Sequence, residues 1–262
     1  MSKSNKPKIL VYDIETAPII GYVWSIWEQN ISLNQIKSDW HLLSWAAKWY
    51  GEPASKTMYM DQRNAKNIED DSSILKGIWK LLDEADIVIT QNGKKFDQKK
   101  LNARFVLNGM TPPSEYKHID TRQIASRNFG FTSNKLEYMT EKLNTKYKKG
   151  KHKVFPGFEL WKECLAGNLK AWNELKKYNI YDVLSLEELY SKLQPWDTTV
   201  NFNVYTGHDM QCNCGSHNLV KNGYTLLTTG KYTRYKCKDC GSNYRDRRAE
   251  KDSSKKTSVK KV

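Results

Sequence analysis

An apolar run near the start of the chain ends in two carboxylates separated by one residue. Residues 9–12 are Ile, Leu, Val and Tyr, and Asp13, Ile14 and Glu15 follow directly. Such a run predicts a buried strand, on which side chains two positions apart point to the same face. Asp13 and Glu15 should therefore lie side by side, where like charges repel unless a divalent cation such as Mg²⁺ or Mn²⁺ compensates. An isolated pair of this kind more often lies solvated at a strand end.

The length and the charge of the chain limit its class and its partners. The 262 residues suffice for one large domain and a small module, and the formal net charge of +14 favours a polyanionic partner. Residues 201–262 hold 13 Lys or Arg and 5 Asp or Glu, so this last quarter carries more than half of the net charge. No apolar run reaches about 18 residues, and no signal-peptide core fits before Asp13. We therefore expect a cytoplasmic protein without a membrane partner.

Apolar, aromatic and β-branched residues cluster into short runs in the first 60 positions, and these runs predict an antiparallel part of a sheet. The predicted strands are residues 9–12, 21–27, 42–50 and 57–60. Their tryptophans should lie in the core and on the sheet face rather than form a ligand platform. Farther along, apolar spacing predicts helices over residues 72–84, 96–107, 121–128, 134–143 and 169–193, and strands at 86–90 and 119–120. The predicted class is α/β.

Two further acids fall on the predicted elements. Asp97 follows the turn signal at Asn92 and lies in the first turn of a helix, where the helix dipole also favours an acid for structural reasons alone. Tyr178 and Asp182 stand four residues apart on the long helix and therefore share one of its faces. That face also carries apolar residues, so Asp182 should point inward, which is unfavourable without a partner. Tyr181 would lie on a different side of the helix.

Three motifs occur in a fixed order along the chain: Asp-x-Glu-Thr at 13–16, Asn-x3-Phe-Asp at 92–97 and Tyr-x3-Asp at 178–182. This set resembles the DEDDy branch of the 3′→5′ exonucleases, which includes the proofreading domains of family A and family B DNA polymerases. The resemblance is to stand-alone phage-type and prokaryote-type enzymes, and it covers most of residues 8–195. The histidine branch would place a histidine where this chain has Lys177, so the tyrosine branch fits better.

The resemblance implies a ribonuclease-H-like mixed sheet flanked by helices over residues 1–196. It also implies two Mg²⁺ or Mn²⁺ ions and hydrolysis of terminal phosphodiesters of DNA, at single-stranded 3′ ends, to nucleoside 5′-monophosphates. Asp13 would bridge both ions, Glu15 and Asp182 would help to hold the ion that activates water, and Asp97 would support the second ion. Tyr178 would orient the attacking water.

Substrate contacts and alternative functions follow from the same resemblance. Thr16, Asn92 and Phe96 are the candidates for contact with the terminal nucleotide. The alternatives are an RNA 3′→5′ exonuclease with the same chemistry and a non-catalytic nucleic-acid-binding or recruiting protein. Replication or repair proteins are the expected protein partners, and the host cytoplasm is the expected location if the chain is encoded by a phage.

Four of the five cysteines form two close pairs near the C-terminal end. In a cytosolic chain, paired thiols of this kind indicate one structural zinc ion rather than disulfides. The predicted ligands are Cys212, Cys214, Cys237 and Cys240. Cys164 stands alone, and we expect it to be a small buried apolar residue rather than a nucleophile.

The segment around these cysteines resembles a zinc ribbon of the type found in transposases and other DNA-bound proteins. Aromatic and basic residues alternate at 220–224 and 231–236, which predicts two hairpin strands that contact nucleic acid, although a purely structural or protein-docking role remains open. The first pair has one intervening residue where two are usual, so His208 or His217 could replace a ligand. The predicted boundaries are a linker at 197–209, the zinc ribbon at 210–245 and a disordered basic tail at 246–262.

Overall fold

The computed structural model describes residues 6–147, 154–206 and 210–250. The chain divides into two compact units, Lys8–Lys192 and a second unit made of Met1–Pro7 and Leu193–Val262, and each is described by itself. The strands of the first unit are β1 (Ile9–Thr16), β2 (Ile20–Gly21), β3 (Ile36–Ser38), β4 (Leu42–Trp49), β5 (Met58–Asp61), β6 (Ile87–Thr90) and β7 (Lys117–Asp120). The helices that begin in it are α1 (Ser72–Glu84), α2 (Asp97–Leu107), α3 (Thr121–Asn128), α4 (Leu136–Lys142), α5 (Glu159–Leu165) and α6 (Leu169–Leu193).

The central sheet has the strand order β5-β4-β1-β6-β7. The early strands β1, β4 and β5 pair antiparallel, as their sequence predicts, and β6 and β7 continue the sheet parallel to β1. A parallel partner requires a crossover connection, and α1 and α2 supply two of them. This mixed sheet with flanking helices confirms the predicted α/β class.

The apolar run at the start of β1 is buried because β1 lies inside the sheet and is covered on both faces. Leu10, Tyr12 and Ile14 pack with α1 and α2 in one core cluster. A second cluster on the opposite side joins Leu43 of β4 to side chains of α5 and α6, among them Trp172. Asp13 and Glu15 alternate with the first set, so they point to the side of α6.

A buried ion pair ties α6 to β4. The ammonium group of Lys48 is almost fully buried and lies 2.7 Å from a carboxylate oxygen of Glu187. Its remaining hydrogen bonds go to the backbone oxygens of Trp49 and Glu52, and the Glu187 carboxylate also accepts from the Gly51 amide at 2.7 Å. The cation is therefore paired and hydrogen-bonded, as burial of a charge requires.

The prediction of a strand at residues 21–27 is wrong. Only Ile20 and Gly21 form β2, which pairs with β3, and the residues after Gly21 lie outside any strand. Tyr22, Trp24 and Trp27 are exposed, so the expectation that the tryptophans of this run lie in the core is also wrong. Both edges of β1 are already occupied by β4 and β6, and the run therefore has no strand position beside it.

The second unit contains the helix α7 (Asn203–Thr206) and a three-stranded antiparallel sheet. Its strands are β8 (Leu219–Leu227), β9 (Gly230–Cys237) and β10 (Asn243–Arg245), with β9 in the middle. The predicted hairpin at 220–224 and 231–236 is confirmed by the pairing of β8 with β9.

The predicted tail is described only in part. Backbone hydrogen bonds join Asp246 and Glu250 to the carbonyl oxygens of Thr233 and Lys231 on β9, so residues 246–250 are placed where disorder was expected. Residues 251–262 of the predicted tail lie outside the described residues. None of the described helices has the length and apolar character that a membrane crossing needs.

Candidate metal centres

Two carboxylates stand on the α6 side of β1. Asp13 and Glu15 are half-buried, and their antiparallel partners on β4 are Ala46 and Ser44. These partners are small and lie on the same face as the acids, which leaves room for the carboxylates between the sheet and α6. The prediction that Asp13 and Glu15 lie side by side is thus met by the register of β1.

Asp182 of α6 joins this pair. It is 2% exposed and, as predicted, points inward. One carboxylate oxygen from each of Asp13, Glu15 and Asp182 lies within 4.8 Å of the other two. Carboxylate oxygens are the ligands that hard divalent cations prefer, and three of them at this spacing fit such an ion. The arrangement brings together segments of the chain that are about 170 residues apart.

Asn179, one turn before Asp182 on α6, holds Asp13 in place. Its fully buried amide Nδ2 donates to Asp13 Oδ2 at 2.7 Å and to the Asp13 carbonyl oxygen at 3.3 Å. The Asn179 Oδ1 in turn accepts from Ser44 Oγ at 3.1 Å. Because both ends of this amide are fixed, the orientation of the Asp13 carboxylate is fixed as well.

Trp161 of α5 contacts both Glu15 and Tyr178. Its indole Nε1 donates to Glu15 Oε2 at 3.1 Å, and its ring meets the Tyr178 ring edge-to-face with centroids 6.1 Å apart. Tyr178 is half-buried and stands one helical turn before Asp182. The predicted tyrosine therefore lies beside the acidic group, with its ring position set by Trp161.

Asp97 lies in the first turn of α2, as predicted, and its side chain is buried there. Its Oδ1 accepts from the backbone amide of Ile14 at 3.3 Å, so it lies against β1 between the two acids of that strand. Among the described residues, the carboxylate group that meets the 4.8 Å spacing comprises the other three acids and does not include Asp97. The structure thus places Asp97 next to the group without bringing it into the same cluster of oxygens.

The three candidate substrate contacts lie near the carboxyl ends of the parallel strands. Thr16 is the last residue of β1, and Phe96 is exposed directly before α2. Asn92 follows β6 with φ of +66°, and its Oδ1 accepts from Arg122 Nη1 at 2.8 Å. Asn92 and Arg122 line a cavity of about 480 Å³ together with residues 133–137.

The four paired cysteines converge in the second unit. Their Sγ atoms all lie within 4.8 Å of one another, with 3.4 Å between Cys212 and Cys240 and 3.8 Å between Cys214 and Cys237. Ligands about 2.3 Å from a tetrahedral zinc ion would have their sulfur atoms about 3.8 Å apart, so the donor set fits zinc. Cys212 and Cys214 have only one residue between them, yet both of their sulfur atoms belong to the cluster.

Two hydroxyl groups and a backbone amide support this thiol cluster. Tyr244 donates from its hydroxyl to Cys212 Sγ at 3.2 Å and accepts from the Asn213 amide at 2.8 Å. The Ser242 hydroxyl lies 3.1 Å from Cys240 Sγ.

His208 lies outside the described residues, and His217 is not part of the cluster of donors. The fifth cysteine, Cys164, is fully buried, and burial raises the pKa of its thiol to about 12, which agrees with an inert apolar role.

Comparison with known proteins gives the family. A family model described as RNase_H superfamily matches residues 48–194, more than half of the chain. The chain belongs to the RNase H superfamily. The matched segment includes Asp97, Tyr178 and Asp182, whereas Asp13 and Glu15 precede it. No match was found among curated proteins.

A solved structure supports the fold of this RNase H superfamily member. The family B DNA polymerase from the hyperthermophilic archaeon Pyrobaculum calidifontis is similar with a TM-score of 0.55 and 15% sequence identity. The match covers 78% of this chain and 27% of the polymerase, so the chain spans about a quarter of the polymerase's length. At this identity the likeness concerns the fold alone.

The predictions from sequence did not include the residues that hold the acids of this RNase H superfamily member in place. Asn179 could have been noticed, because a polar residue three positions before Asp182 faces the same inward side of the helix. Ser44 and Trp161 gave no local signal, since their contacts with Asn179 and Glu15 join residues more than 130 positions apart.

Proposed function

We propose that this chain is a metal-dependent 3′→5′ exonuclease of the DEDDy class, which shortens single-stranded 3′ ends of DNA to nucleoside 5′-monophosphates. The observation that carries the proposal is the convergence of Asp13, Glu15 and Asp182 on the central sheet of an RNase H superfamily fold. Three carboxylates at this spacing repel one another strongly without cations, and the hydrolysis of phosphodiesters is a reaction that such cations promote.

Each acid has a role in the proposal. Asp13, Glu15 and Asp182 would hold divalent cations at the carboxyl end of β1, and Asp97 would support a second ion from the start of α2. When bound, Mg²⁺ or Mn²⁺ lowers the pKa of a coordinated water and offsets the charge that develops on the scissile phosphate. Asn179 keeps the Asp13 carboxylate in a fixed orientation through its 2.7 Å hydrogen bond.

Tyr178 and Trp161 pack against each other, and Trp161 also contacts Glu15. In the proposal the Tyr178 hydroxyl orients the attacking water, and the edge-to-face contact with Trp161 keeps the tyrosine ring in position. Trp161 also holds Glu15 through its indole N–H. The terminal nucleotide would meet Phe96, Thr16 and Asn92, which lie at the carboxyl ends of the same strands.

The test is a degradation assay with the full chain on an oligonucleotide labelled at its 5′ end, with Mg²⁺ or Mn²⁺ added. A 3′→5′ exonuclease produces a ladder of shortened labelled strands, whereas attack from the 5′ end releases the labelled mononucleotide first. Asp13→Asn and Asp182→Asn keep side-chain size and remove one charge each. Both should reduce the rate by more than the roughly 10-fold to 100-fold that supporting contacts of a metal site contribute.

Glu174→Gln is the matched control, since it also removes one charge at constant side-chain size, and Glu174 lies on the same helix as Asp182 but outside the acidic group. It should keep the wild-type rate. Full activity of both Asp variants, or a metal-independent rate, would refute the proposal. Parallel reactions on RNA of the same sequence identify the substrate, and faster hydrolysis of RNA would replace the DNA assignment with the RNA exonuclease.

A further inference from the structure

Two arginines face each other directly across the sheet of the second unit. Arg234 of β9 is paired with Arg245 of β10, and Lys236 lies two residues farther along β9 on the same face. All three side chains are exposed. Like charges in directly opposite positions of an antiparallel sheet destabilise it, so a bound anion would relieve the repulsion. We call these three residues the basic face.

The carboxylates of the described residues do not supply that anion. Within the described residues, none of the three cations has a carboxylate oxygen within 4 Å, whereas Lys231 on the other face lies 3.5 Å from Glu250. The contacts of the basic face hold the arginines in place without neutralising them. Arg234 Nε donates to the Asn222 carbonyl oxygen at 2.8 Å, and the Arg245 guanidinium lies 4.8 Å from the centroid of the Tyr232 ring.

The positive charge continues along the chain after β10. Arg245, Arg247 and Arg248 line a cleft of about 790 Å³ that also contains polar side chains such as Asn203. Asp246 is the one acid among the described residues that line this cleft, and its Oδ2 accepts from the Tyr235 hydroxyl at 3.4 Å. The described lining of this cleft therefore holds three arginines and one acid.

We propose that the basic face, together with Arg247 and Arg248, binds the phosphodiester backbone of nucleic acid. Guanidinium groups match the geometry of phosphate oxygens and can donate two hydrogen bonds to each group. Such contacts position a strand without reading its bases, so the binding is independent of sequence. This assignment concerns the second unit and goes beyond the exonuclease proposed for the first, and either can fail while the other stands.

The test measures the salt dependence of binding by the full chain. Fluorescence anisotropy is recorded with a labelled 30-nucleotide single strand of DNA, without Mg²⁺ or Mn²⁺, between 50 and 200 mM salt. Each phosphate contact contributes about 0.7 to the slope of log affinity against log salt for single strands. The triple variant R234Q/K236Q/R245Q should therefore lower the slope by about 2. Raising the salt from 50 to 200 mM should then reduce the affinity of this variant by a factor roughly 20-fold smaller than in the wild type.

The control removes the same net charge elsewhere in the unit. K221Q/K231Q/K238Q also loses three cations, and two of them, Lys221 and Lys231, lie on the opposite face of the sheet. This control should keep a slope close to that of the wild type. Equal reductions in both variants would mean that net charge alone attracts the strand, and an unchanged slope in the basic-face variant would overturn the proposal in favour of another partner, such as an acidic protein.

A second variant keeps the test decisive if substitutions within the strands disturb folding. Arg247→Gln with Arg248→Gln changes residues outside the strands and should lower the slope by about 1.4. Hydrolysis of a mononucleotide ester, too short to reach a second binding surface, separates the two proposals. Its rate should be the same in every variant of the basic face, and it reports only on the exonuclease site.

Discussion

Replacing Asn179 with alanine should weaken metal-dependent activity while leaving the acids themselves intact. The substitution removes the amide that donates to Asp13 Oδ2 at 2.7 Å and to the Asp13 carbonyl oxygen at 3.3 Å. It also leaves the Ser44 hydroxyl without the Oδ1 atom to which it donates at 3.1 Å. The Asp13 carboxylate can then rotate away from Glu15 and Asp182.

The expected magnitude follows from the bond to the carboxylate. A hydrogen bond to a charged group contributes about 1.5–3 kcal/mol, and 1.4 kcal/mol corresponds to about a factor of 10. The apparent affinity for Mn²⁺ should therefore fall by roughly 10-fold to 100-fold, in the range known for residues that support metal ligands. Hydrolysis at limiting metal should fall by the same factor, and excess metal should restore part of it.

The assay measures the initial rate of oligonucleotide hydrolysis over a series of Mn²⁺ concentrations, alongside calorimetric titration of Mn²⁺ into the protein. Asn173→Ala is the matched control, because Asn173 lies on the same helix but is exposed and accepts from Arg63. Both variants replace an asparagine with alanine in α6, so the change in helix propensity is the same in the two variants. Wild-type metal dependence in Asn179→Ala would refute the positioning role.

Three further outcomes can be measured. Tyr178→Phe should slow turnover without changing Mn²⁺ affinity or unfolding temperature, and an unaltered turnover would remove the hydroxyl from the reaction. Glu187→Ala should lower the free energy of unfolding by about 3–5 kcal/mol in urea, since it leaves the Lys48 cation buried and unpaired; joint replacement with Lys48→Met and Glu187→Leu should recover most of that loss. Burial lowers the pKa of His118 to about 4 from its ordinary 6.5, so the unfolded chain takes up a proton first as pH falls. Stability should therefore decline by about 3 kcal/mol between pH 6.5 and 4, and a His118→Gln variant should lack this contribution.

Local patterns in the sequence were sufficient to predict the buried strand before Asp13 and the inward direction of Asp182. They were not sufficient to predict which groups hold these acids. The apolar run before Asp13 predicted a buried strand, and helical spacing around Asp182 predicted an inward carboxylate; both follow from periodicity over a few turns. The contact of Trp161 with Glu15 depends on how α5 packs on the sheet, which no local pattern specifies. The same limit applies to Asn179 and Ser44.

The error at residues 21–27 has a different physical origin. Aromatic and β-branched residues favour strands because they pack well on a half-buried pleated surface, not because of a backbone preference of their own. Here the two edges of β1 are taken by β4 and β6, and the segment pairs only through Ile20 and Gly21. Strand propensity could not reveal that the neighbouring positions were already filled.

The exposed segment after β2 gives the protein a built-in optical reporter. Of the nine tryptophans, Trp24 and Trp27 are 96% and 77% exposed, whereas Trp45 and Trp172 are almost fully buried. Indoles in water emit at longer wavelengths and are quenched by iodide, while enclosed indoles are shielded from it. Any molecule that settles on this segment should therefore shift the emission to the blue and protect it from iodide, without an attached dye.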